Sequence, residues 1–134
     1  MSVIVTDAGF APAVAVDAVT LADLPTNRGV VDLANTDDPS LLKDHLGGLT
    51  LIRIAFPAFN DGRAFTIARR LREMGYAGTL RALGPVIADQ YAMARRLGFD
   101  EVEIPDDLAT RQPADQWQYR ADWPAHHYQA HLRA

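Results

Sequence analysis

The 134-residue chain contains no cysteine. That excludes a disulfide framework, a thiolate zinc site, a cysteine nucleophile and a cysteine-ligated iron–sulfur cluster. Serine is almost as scarce. Ser2 and Ser40 are the only two, and neither sits in a nucleophile-elbow pattern, so serine hydrolase chemistry is not expected. No apolar run approaches the roughly 18 residues that would suggest a membrane span. The opening MSVIVTDAGF has no basic region and meets Asp7 early, unlike a secretory signal. The expectation is a cytoplasmic protein with no membrane contact. Basic excess is missing too: the formal net charge of -4 argues against nucleic-acid binding, which needs a basic surface. There is no G-x-G-x-x-G and no glycine–lysine phosphate loop, so no cofactor is expected.

What is present is an ordinary globular composition, 49% apolar, and enough length for one domain with a real core. The chain divides into N-terminal strands over 1–28, a βα core over 29–104 and a C-terminal arm over 105–134. In the core, short apolar runs alternate with helical patterns. Val30–Leu33 predicts a first strand. Asp38-Pro39-Ser40 predicts a helix start with Asp38 as cap, and Leu41, Leu42, His45 and Leu46 its buried face, until Gly47-Gly48. Leu49–Ala55 predicts the second strand. Ala64, Ile67, Ala68, Leu71 and Met74 hold helical spacing up to Gly75. Thr79–Leu83 is the third strand. Gly84-Pro85 opens a helix with Val86, Ile87, Tyr91, Ala94 and Leu97 inward, closed by Gly98. Val102–Ile104 is the fourth strand. The fold class is α/β: a βαβαβαβ parallel sheet resembling a half-barrel, helices on one face, with an N-terminal strand or hairpin and an irregular arm holding Trp117 and Trp123.

Each strand carries one charge among aliphatics: Asp32, Arg53, Arg81 and Glu103. Side chains alternate across a strand, so these four share a face opposite the oily one. Two arrangements fit. In one, Asp32 pairs with Arg53 and Glu103 with Arg81. In the other, Arg53 and Arg81 on neighbouring strands hold a small oxyanion, such as sulfite, sulfate or phosphate, between their guanidiniums. The stretch FPAFNDGRAF comes directly after the second strand. Asn60 or Asp61 would cap the next helix, and Arg63 would fall in its first turn, where a cation opposes the helix dipole. Either Arg63 meets a carboxylate, or Asp61 and Arg63 contribute to an anion site at the carboxyl ends of the strands. Asp89 and Gln90 lie beside an inward helix stripe and would hydrogen-bond loop backbone. His127 and His131 would share a helix face, but Pro124 interrupts it and no carboxylate stands at metal-ligand spacing, so no metal is expected.

Phe56-Pro57, Phe59, Asp61-Gly62-Arg63, Phe65, Ala68, Arg72, Gly75-Tyr76, Gly78, Arg81, Gly84, Asp89-Gln90, Arg96 and Gly98-Phe99-Asp100 form a pattern. By it, residues 56–100 resemble a bacterial family of unknown function, encoded beside the sulfite reductase haemoprotein and labelled an oxidoreductase of sulfite reduction. Family members often have glycine at Ala64 and cysteine at Leu97, so no family cysteine acts here. The resemblance implies a place in sulfite reduction. Delivering six electrons requires a redox cofactor, and this chain carries no motif for one. Three functions are compatible with these residues: an accessory of assimilatory sulfite reduction that binds a sulfite reductase subunit through its aromatic tail or polar sheet face, a small enzyme or anion-binding module around Arg53, Asp61, Arg63 and Arg81, or a structural homo-oligomer, such as a homodimer, packed through its polar sheet face.

Overall fold

The computed structural model describes residues 2–13, 16, 18–21, 24, 29–56, 62–86, 88–112 and 117, without the side chains of residues 88 and 89. Its strands are β1 (Ser2–Thr6), β2 (Gly9–Pro12), β3 (Val19–Thr20), β4 (Val30–Leu33), β5 (Leu51–Ala55), β6 (Thr79–Leu83) and β7 (Glu101–Pro105). Its helices are α1 (Arg63–Glu73), α2 (Ala88–Arg96) and α3 (Asp106–Arg111). All seven strands join one sheet in the order β2-β1-β7-β6-β5-β4-β3. β3 through β7 pair in parallel, while β1 lies antiparallel to both β2 and β7.

β4, β5, β6 and β7 lie side by side in chain order. Right-handed crossovers that always step the same way place every connection on the same face. That face is the oily one. Val31, Leu33, Ile52, Ile54, Leu80, Ala82, Val102 and Ile104 are all at most 2% exposed, in one cluster with Ala64, Ala68 and Leu71 of α1 and Tyr91 and Ala94 of α2. The expected α/β sheet is therefore present, with the charged residues on the alternate positions. Phe56, Phe65 and Phe99 meet near its centre, with ring centroids 5.0–6.3 Å apart.

The first crossover departs from the expected α-helix. Asp38 caps as anticipated, accepting from Ser40 N at 3.0 Å and Ser40 Oγ at 2.7 Å. The chain then makes two tight 3-10 turns, Pro39–Leu42 and Leu46–Gly48. Three residues per turn break the i, i+3, i+4 stripe: Leu42 is buried, but Leu41 is 61% exposed. The expected N-terminal strands form within 1–28 and join the sheet at both of its edges. The β1–β2 hairpin extends the sheet beyond β7, whereas β3 extends it beyond β4. The described part of the arm lies on the domain. α3 forms within it, and Trp117 is buried, edge-on to Tyr91 at 5.9 Å, with its indole N–H donating to Gln112 O at 2.9 Å. An aromatic with a satisfied polar handle belongs to the core. Truncation from 113 would therefore remove core. Trp123, His126, His127 and His131 lie outside the described residues.

Candidate functional site

The charged face is built by register. Asp32 pairs across with Arg53, Arg53 with Arg81, and Arg81 with Glu101. Glu103 stands two residues further along β7, on the same face. Arg53 grips Asp32 with both ends of its fork, Nε to Oδ1 at 2.6 Å and Nη2 to Oδ2 at 2.7 Å. Arg81 donates to Glu101 Oε1 through Nε at 3.0 Å and pairs with it through Nη2 at 2.9 Å. Glu103 Oε1 lies between the two arginines, 3.0 Å from Arg81 Nη1 and 3.5 Å from Arg53 Nη1. Its other oxygen accepts from Ser2 Oγ at 2.8 Å. The anion between the two guanidiniums is thus the protein's own carboxylate. The hydrogen bond from Arg53 to Asp32 holds its guanidinium protonated even beyond the ordinary range, against the opposing effect of burial.

Glu101 and Ser2 extend the row beyond the sequence reading. Glu101 was legible, since Glu101-x-Glu103 puts two acids on one face of a strand. Ser2 was not, because nothing local ties residue 2 to residue 103. Arg63 does open α1, as expected, and is exposed. The helix cap is corrected: Gly62 holds that position with no side-chain hydrogen bond. Asn60 and Asp61 lie outside the described residues. Gln90 is half-buried on α2, and the side chain of Asp89 is not among those described.

A second constellation sits at the amino-terminal ends of β6 and β7. Arg72 donates from Nη1 to the carbonyls of Tyr76 and Gly78, both at 2.8 Å, from Nε to Gly98 O at 3.0 Å, and from Nη2 to Asp100 Oδ2 at 2.8 Å. Asp100 Oδ2 also accepts the Leu80 N–H at 2.9 Å. One side chain thus fastens the turn after α1 to the turn after α2. In α/β barrels this end is where residues serve stability rather than catalysis. At the other end, a Cβ on Gly84 (φ +138°) would lie 2.1 Å from Phe56 O, so the segments beyond β5 and β6 touch backbone to backbone only with glycine there.

Tyr76 packs into the Arg72 knot, 4% exposed, with the guanidinium 5.6 Å from its ring centre. Burial pushes its hydroxyl up to about 12; nearby Arg72 opposes this and Asp100 adds to it. The unfolded chain releases that proton from about pH 10, before the folded one does. Stability is then full below pH 10 and falls as pH rises toward 12. Denaturant midpoints taken across this interval are expected to drop, with the fall reduced in Tyr76→Phe. Tyr91 is raised in the same direction, mainly by burial and then by its hydrogen bond to Asp7.

Among the described residues no group of histidines and carboxylates has metal-binding geometry, and no helix is long and apolar enough to cross a membrane. Residues 30–134 match the sequence model of a family described as "Bacterial protein of unknown function (DUF934)". No curated protein and no solved structure matches the chain.

Proposed function

We propose, from the premise that the chain belongs to this bacterial family of unknown function, that it is an accessory of assimilatory sulfite reduction, docking on a sulfite reductase subunit through its charged sheet face. One observation carries the reading: five ionised side chains are fixed on the sheet face opposite α1 and α2. Its more exposed members, Asp32 at 35% and Glu101 at 17% of their side chains, present oriented, internally paired charges that select a partner of complementary pattern and reject others. It is a poor trap for a small oxyanion, which would have to displace Glu103 from between Arg53 and Arg81. It is equally poor for self-pairing. The row reads acid, base, base, acid, so a two-fold axis along or across the strands lays like charge over like.

The test mixes the protein with each purified sulfite reductase subunit in turn, the haemoprotein among them, and measures complex formation by size-exclusion with light scattering. A stable complex is expected, weakened by Asp32→Asn on the charged face and unaffected by Asp107→Asn on exposed α3. Absence of a complex with any subunit would refute the reading. A higher Tm in sulfite than in chloride at matched ionic strength would support oxyanion binding around Arg53, Asp61, Arg63 and Arg81 instead.

A further inference from the structure

On the helix side, the last turns of α1 and α2 enclose a surface depression of about 460 Å³ lined by Arg69, Arg72, Glu73, Arg96, Leu97 and Gly98. Arg72 spends its fork inward on the turns beneath. Gly98 keeps the floor low, since a Cβ there would sit 2.6 Å from Arg72 Cγ. The two remaining cations face outward. Arg69 gives Nε to Glu73 at 3.1 Å and leaves its side chain 69% exposed. Arg96 is exposed, with no polar partner among the described residues. Met93, one helical turn before Arg96 and Leu97, is 47% exposed.

Arginines in a last helical turn complement the macrodipole, but the dipole does not account for an exposed methionine and a half-buried leucine beside them. The surrounding charge is also local. The side chains lining the depression include Arg69, Arg72 and Arg96 against one carboxylate, Glu73, in a chain of net charge -4. Two guanidiniums facing one depression with a single carboxylate between them leave a net positive mouth with an apolar edge.

We propose that this depression docks an acidic segment of a protein partner, its carboxylates meeting Arg69 and Arg96 and one large apolar side chain lying on Leu97 and Met93. The apolar edge favours such a segment over a phosphate polymer, for which guanidiniums alone would suffice. The inference does not depend on the sulfite-reduction reading.

Fluorescence anisotropy of the full chain with a short labelled Asp/Glu peptide carrying a central leucine tests it, alongside the same peptide with serine for leucine, a lysine peptide and a single-stranded oligonucleotide. Binding of the leucine peptide is expected to exceed all three. Arg96→Glu and Arg69→Glu are each expected to weaken it about tenfold. Arg111→Glu makes the same change of net charge on exposed α3 and should change it less than about twofold. Arg96→Gln, with unchanged circular dichroism, serves if a charge reversal disturbs folding. The proposal is overturned if the leucine peptide does not bind, if the serine peptide or the oligonucleotide binds as well, or if Arg111→Glu weakens binding as much as Arg96→Glu.

Discussion

Replacing Arg81 by methionine is expected to destabilise the protein by about 3–5 kcal/mol, the usual result of removing one partner from a buried ionic network. Arg81 is 9% exposed at its side chain, Glu103 10% and Glu101 17%, so water reaches the stranded carboxylates poorly. Against a typical total of about 5–15 kcal/mol, this approaches loss of folding. A further measurement separates the charge effect from simple loss of volume. Arg81→Met combined with Glu103→Met should be more stable than Arg81→Met alone, because the second change removes one of the two carboxylates that lost Arg81. A deficit under about 1 kcal/mol would mean that the row is solvated and contributes little.

The second large effect is expected at Arg72. Changing it to methionine leaves the carbonyls of Tyr76, Gly78 and Gly98 without their donor. Each buried acceptor left unpaired costs about 1–3 kcal/mol. Solvent replaces part of this, because Arg72 is 27% exposed and Asp100 45%, so a loss of about 3 kcal/mol is expected in urea titrations. Arg72→Lys should recover only a fraction. An ammonium cannot span three carbonyls and a carboxylate in the plane of a fork. Full rescue by lysine would show that the charge alone matters.

The βα order, the oily face and the alternate-position charges were all legible in the sequence, because strand periodicity needs only neighbours. So was the pairing of Asp32 with Arg53. What escaped had long-range causes. Trp117 looks like part of a tail until Tyr91 and Gln112 are brought to it. Ser2 acquires meaning only beside Glu103, 101 residues away. The Asp38–Leu46 helix failed because propensity and capping outweighed length: nine residues followed by two glycines leave little room for an α-helix, and tight turns satisfy the backbone instead. Arg72 belonged to the resemblance pattern, but its role rests on the folded-back turns at Tyr76, Gly78 and Gly98, whose carbonyl directions no residue spacing reveals.

The antiparallel seating of β1 against β7 has a consequence for synthesis. β1 is made about 100 residues before its partner strand at Glu101–Pro105, a delay of about 5–20 s at roughly 5–20 residues per second. β2 follows at once and pairs with one edge of β1, so Val3, Ile4 and Val5 wait with only the other edge open. The latch that seats the hairpin, Tyr91 and Arg95 on Asp7, is also made late. The hairpin therefore docks on the sheet only after β7 exists, and until then it presents an open strand edge.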